Sequence, residues 1–163
     1  MRKKINIIIS CVLLLFVFAC AGYKPIFSQS NLQFSIVDYT LHGDKKLSDK
    51  LYSKLQVLSQ SNKNSSDIKN IKLRIDITKD KRGTSKDTTG KVLEYNVRLI
   101  SKVLVNDILT GDEILNYEIT DSVSYKVQDR YSETLRIENE STNNLIDKTY
   151  QGLLVKLAEA FQK

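Results

Sequence analysis

The chain of 163 residues has one histidine, two cysteines, one proline and no tryptophan. Each scarcity excludes something. A structural or catalytic metal centre built from His and Cys would lack ligands. A Ser-His-Asp or Cys-His enzyme would have to rest on His42 alone. Two cysteines allow at most one disulfide, so this is not a small domain held together by cross-links. A single proline excludes a Pro-rich linker or scaffold. What is present fits one globular domain: 41% hydrophobic residues, 27% charged residues and a formal net charge of +6.

The N-terminus reads as an address. Arg2, Lys3 and Lys4 precede an apolar stretch from Ile5 to Ala19, interrupted only by Asn6 and Ser10. As a helix this stretch is roughly 22 Å long, short of the ~30 Å hydrocarbon core of a bilayer. A positive start, a short apolar run and a small residue before a break describe a secretory signal. An uncleaved membrane anchor is the alternative. The run ends Val17-Phe18-Ala19-Cys20, which resembles the lipobox of bacterial lipoproteins: an aliphatic residue at −3, a small one at −1, then the cysteine that is lipidated. Phe18 is bulkier than the usual residue at −2. The resemblance implies a signal peptide at 1–19, a triacylated Cys20 and a lipidated tether at 20–31. Several acyl chains on one residue hold a protein firmly where a single one would not. Ala21 rather than Asp at the second mature position points to the outer membrane. Loss of Arg2, Lys3 and Lys4 takes the charge from +6 to +3.

One domain is expected over 32–163. Leu32, Phe34 and Ile36 alternate with polar residues and predict a strand ending near Asp38-Tyr39. Leu47, Leu51, Leu55 and Leu58 form one stripe of an amphipathic helix. Ser59 to Asp67 is a polar loop. Ile71, Leu73, Ile75 and Ile77 alternate with Lys72, Arg74, Asp76 and Thr78, giving a strand with one apolar and one charged face. The segment Lys79–Gly90 has no apolar residue and reads as an exposed loop or two frayed strand ends. Period two returns over Leu93–Val105, then over Leu115–Val127 after a turn at Thr110-Gly111-Asp112. Asp121 interrupts the second of these apolar faces, where a bulge is expected. From Tyr131 to Phe161 the period becomes helical, through Ile146, Tyr150, Leu153, Leu154, Leu157 and Phe161. Glu133, Glu138 and Glu140 near its start and Lys156 and Lys163 near its end suit the helix dipole. Gly152 either weakens this helix or lets it pack closely on a sheet.

The expected fold is α+β, a two-layer sandwich in the order strand-helix-strand-strand-strand-helix. Its four-stranded sheet should be mostly antiparallel, with two helices on one face. The first crossover should be right-handed.

No motif supports catalysis. His42 stands in a Gly-flanked loop without a nucleophile beside it. Gly83 and Gly90 lack the spacing of a phosphate-binding loop. No cofactor or metal is implied. Binding has more support. Lys79, Lys81, Arg82 and Lys86 crowd one polar segment, and Arg74, Arg98 and Lys102 lie on strand faces away from the expected core. Together they suit phosphates; a solvated strand face is the other reading. For a secreted lipoprotein the phosphates point to an anionic glycolipid rather than nucleic acid.

The mature chain resembles the alphaproteobacterial branch of the LptE family of LPS-assembly lipoproteins. The signals are Cys20-Ala21-Gly22-Tyr23-Lys24-Pro25, Asp87-Thr88-Thr89-Gly90 before the long strand Val92–Val105, Asn106-Asp107, Thr110-Gly111, Ser124-Tyr125, and Tyr131-Ser132-Glu133 before the final helix. Ser132 stands where the family often has Ala. The resemblance implies a non-enzymatic outer-membrane lipoprotein on the periplasmic side. It would plug an LptD-type β-barrel, assist that barrel's assembly and bind lipopolysaccharide during insertion into the outer leaflet. Cys20 carries over as the lipidation site. Lys79, Lys81, Arg82, Arg98 and Lys102 are the lipopolysaccharide-binding candidates on charge alone. A structural or adaptor lipoprotein of another envelope system, without lipopolysaccharide contact, is the alternative.

Overall fold

The computed structural model describes residues 32–61 and 68–162. The leader, Cys20, the tether and most of the Ser59–Asp67 loop lie outside the described residues. The elements run β1 (Phe34–Gly43), α1 (Lys45–Ser61), β2 (Lys69–Lys86), β3 (Val92–Asp107), β4 (Glu113–Lys126) and α2 (Tyr131–Phe161). The sheet order is β1-β2-β3-β4. β1 pairs in parallel with β2, and β2-β3-β4 is an antiparallel meander. The fold is therefore the α+β arrangement that the periodicities predict.

Side-chain alternation sets the two faces. Ile71, Leu73, Ile75 and Ile77 of β2 and Val97, Leu99, Val103 and Val105 of β3 are almost wholly buried. They face α1, through Leu47, Leu51, Leu55 and Leu58, and the second half of α2, through Leu145, Ile146, Leu153 and Leu157. No described element covers the opposite face, where even-numbered residues of β2, β3 and β4 stand.

Two strand ends and one expected bulge differ from the sequence reading. β1 continues past Tyr39 to Gly43, whose φ of +71° ends it. A Cβ at Gly43 would collide with the Ile77 carbonyl, and Asp44 N–H donates to that same carbonyl at 2.7 Å, so close approach to β2 requires glycine here. β2 extends through Lys86 because its polar second half pairs with β3, which supplies the backbone hydrogen bonds regardless of side-chain polarity. The bulge expected at Asp121 is absent. β4 stays in register with β3 there, and the buried carboxylate accepts a hydrogen bond from Lys148 of α2 instead.

Helix α2 has two kinds of inner face. Thr134, Glu138 and Thr142 are buried at four-residue steps, and from Leu145 onward the stripe is apolar except for Thr149. The polar half lies over the polar end of the sheet. Glu133 is the acid in its first turn, and no basic residue stands in its last. Arg136 binds both Glu133 and Glu140, so these acids serve an ion-pair network along the helix.

Candidate functional site

The five predicted cations are divided by the pleat of the sheet. Odd-numbered residues of β2 point to the helices. Lys79 and Lys81 therefore continue the inner row of Ile75 and Ile77, while Arg82 points outward. Arg98 and Lys102, even-numbered in β3, also point outward. The structure thus places two candidates on one face and three on the other.

Inside, Glu138 draws the groups together. Lys79 Nζ donates to Oε1 at 2.8 Å and Lys81 Nζ to Oε2 at 2.6 Å, and the Tyr125 hydroxyl donates to Oε2 at 2.8 Å. The Glu138 side chain is 11% exposed. Lys81 Nζ also lies 4.2 Å from the centre of the Tyr95 ring. Tyr95 and Tyr125 are direct cross-strand partners, with ring centres 5.9 Å apart. Burial pushes the Glu138 carboxyl up, but hydrogen bonds from Lys79, Lys81 and Tyr125 outweigh it and hold the pKa at about 2. Burial pulls the Lys81 ammonium down, and hydrogen bonds to Glu138 and Tyr125 reverse this into a net rise. Burial, then the hydrogen bond to Glu138, pushes the Tyr125 phenol up. Glu138 therefore stays ionised through the neutral range, and its oxygens are occupied by internal donors. This cluster ties α2 to the end of the sheet.

Outside, the face is ionic and largely self-compensating. Arg82 pairs with Asp80 at 2.7 Å, Lys102 with Glu118 at 3.3 Å and Lys72 with Asp38 at 2.7 Å. Glu94 stands opposite Lys126, and Asp80 opposite Arg98, in the strand register. Arg74 and Arg98 are exposed and have no ion pair with any described residue. Between them lie Ile100 and Leu104, half-buried in an otherwise polar surface. A shallow depression beside Leu104 is lined by Arg74, Asp76, Lys102, Val103 and Asn116. Such a face can bind a polar wall or an anionic group. His42, at the end of β1, is exposed, and its backbone carbonyl accepts from the Ser48 hydroxyl at 2.8 Å. Among the described residues no group of three or more His, Cys, Asp or Glu could hold a metal ion. No described helix is long and apolar enough to cross a membrane.

Glu138 escaped the sequence reading, which gave it a helix-dipole role. The available signal was the run Thr134-Glu138-Thr142-Ile146, which carries the buried stripe back into the first half of α2.

No protein-family model matches the chain, and no curated protein matches it. Solved structures do. A minor lipoprotein from Acinetobacter baumannii is similar at a TM-score of 0.56 and 20% identity, over 79% of this chain and 92% of that one. The solution structure of an uncharacterized lipoprotein B from Nitrosomonas europaea is similar at a TM-score of 0.55 and 18% identity, over 82% and 88%. At these identities the likeness is one of fold.

Proposed function

We propose that this chain is an envelope lipoprotein, anchored through Cys20 to the outer membrane, whose domain seats as a plug in an LptD-type β-barrel, assists that barrel's assembly and contacts lipopolysaccharide. The observation that carries the reading is the uncovered sheet face. It is backed by the apolar core and presents Arg74, Asp76, Arg82, Arg98, Lys102 and Glu118 to the surroundings. The lumen of a large barrel is polar, and an ionic face of this kind complements it. The lipobox-like Val17–Cys20 segment supports the anchor, as does the shared fold with two proteins named as lipoproteins.

No bond is made or broken in this function. Arg74 and Arg98, outward guanidinium groups that form no ion pair with any described residue, are suited to meet phosphate; Lys79 and Lys81 are engaged by Glu138. Purification from solubilised outer membranes should bring down a large barrel, and Arg74→Glu with Arg98→Glu should weaken both that recovery and lipopolysaccharide binding. Recovery without any barrel would refute the plug.

The second reading is an adaptor lipoprotein without lipopolysaccharide contact. The carboxylate partners of Lys79, Lys81, Arg82 and Lys102 favour it, because four of the five candidate cations are already paired within the chain, Lys79 and Lys81 sharing Glu138. Lipopolysaccharide that fails to bind the native chain, with no LptD-type barrel recovered beside it, would decide for it.

A further inference from the structure

The end of the molecule from which the described chain begins carries an apolar tip. Phe34 opens β1 opposite Lys69, and Ile71, two residues into β2, stands opposite Asp107 at the close of β3. Phe161 at the end of α2 stacks on Phe34. The β3–β4 turn, residues 107–112, therefore shares one end of the sandwich with Leu32, the first described residue. In that turn Leu109 is 83% exposed and Ile108 39% exposed; Leu109 is the most exposed large hydrophobic residue described.

This exposure is held in place. The Asp107 carboxylate accepts from Leu109 N–H at 2.7 Å, and Gly111 N–H donates to the Asp107 carbonyl at 2.9 Å. Gly111 supplies the positive φ that the turn needs. Ile108 N–H donates to the Asn70 carbonyl at 3.0 Å, which fastens the tip to the start of β2. Two adjacent apolar side chains on a pinned turn gain free energy when something apolar receives them.

We infer that Ile108 and Leu109 dip into the same lipid leaflet that holds Cys20, making a second membrane contact that stands the domain upright. The inference rests on the lipid anchor of the preceding section and concerns the chain outside a barrel, whose wall would part a seated domain from the lipid. Twelve residues, 20–31, separate Cys20 from Leu32, and a chain of that length reaches at most about 40 Å. Such a reach leaves the orientation of the domain open. A tip beside the point where the tether joins closes it. β3, at about 3.3 Å per residue, then carries the β2–β3 turn about 50 Å away from the lipid. The neighbouring charges point to apolar insertion rather than electrostatic attraction. Asp112 and Glu113 are exposed at the tip, and the exposed Lys69 lies over the Phe161 ring. Anionic lipid should therefore not strengthen the contact.

The test uses the full, lipid-modified chain in phosphatidylcholine vesicles containing a lipid-borne quencher. With Cys20 acylated and the leader removed, Thr110→Cys supplies a single thiol for an environment-sensitive label, and Thr88→Cys in the β2–β3 turn is the distant control. The label at 110 should be quenched and the label at 88 not. Leu109→Asp should lower the ratio of inserted to free tips about tenfold or more, and Leu109→Phe should keep it. Each variant is checked for native circular dichroism. A chain that sediments with vesicles but shows no quenching at 110, or equal quenching at both positions, overturns the inference and leaves the anchor standing. A chain that stays in the supernatant, with Cys20 bare by mass analysis, overturns the anchor and the inference with it.

Discussion

Phe161, in the last turn of α2, stacks on Phe34, the first residue of β1, with ring centres 5.9 Å apart and planes 14° from parallel. The contact joins the two ends of the domain across more than a hundred residues of chain. Phe34 is 2% exposed and is part of the core, whereas Phe161 is half-buried at its margin. Phe34→Ala should therefore cost about 3–5 kcal/mol and Phe161→Ala about 1–2 kcal/mol. In urea unfolding, the double variant should fall short of the sum by about 0.5–1.5 kcal/mol, the size of an aromatic pair. Strict additivity would mean that the rings are neighbours without being coupled.

Glu138 is the group on which the polar half of α2 depends. Glu138→Gln removes the charge that compensates Lys79 and Lys81 and leaves two ammonium groups against a largely buried amide. The expected loss is about 2–4 kcal/mol, read as a lower urea midpoint. Lys81→Met should cost less, about 1 kcal/mol, because its side chain is 34% exposed and Lys79 still pairs with the carboxylate. Equal losses in the two variants would show that the cluster acts as one ion pair rather than as a carboxylate with several donors.

The same carboxylate makes stability depend on acid. Its pKa is about 2 in the folded chain against an ordinary 4.5. A depressed carboxyl contributes stability that is fully present above about pH 4.5 and disappears as pH falls toward 2. The contribution is on the order of 3 kcal/mol. Asp38, held down by its hydrogen bond from Lys72, acts in the same direction at the surface. Lys81, with a raised pKa, contributes stability that is present below its ordinary value of 10.5 and is lost as pH rises through its folded pKa. Thermal melts from pH 6 to pH 2 should show a fall that Glu138→Gln largely removes. A fall of the same size in that variant would assign the acid transition to other carboxyls.

How far the sequence reveals this molecule depends on where the informative partner lies. Ile71, Leu73, Ile75 and Ile77 declare a half-buried strand within seven residues, because alternation is a local property. Leu47, Leu51, Leu55 and Leu58 declare a helix for the same reason. Lys79 and Lys81 continue the inward row of β2, but the acid that makes their burial tolerable is 57 residues or more further along. Without Glu138 in view, a stretch lacking apolar residues reads as a loop. Asp121 is a parallel case: its partner Lys148 lies 27 residues away on α2, so an in-register buried carboxylate resembles a bulge. The division of the candidate cations between two faces follows once β2 is known to continue as a strand.

Gly152 gives the sharpest test of how α2 sits on β4. It lies in the interior of the helix, where glycine costs about 1 kcal/mol relative to alanine. A Cβ there would run into the Tyr117 hydroxyl, while the ring carbon that bears the hydroxyl would stand 3.5 Å away, an ordinary contact. The glycine notch thus receives the end of one tyrosine. In the native chain Gly152→Ala must displace a half-buried ring on β4, and the expected net loss is about 1–2 kcal/mol despite the better helix propensity. In a Tyr117→Phe background the obstructing oxygen is gone, and the same substitution should stabilise by about 0.5–1 kcal/mol. The change of sign, measured by urea unfolding of the four chains, is the signature of direct contact. Stabilisation by Gly152→Ala in both backgrounds would mean that Tyr117 swings aside at no cost and that the close approach of helix and sheet does not require glycine.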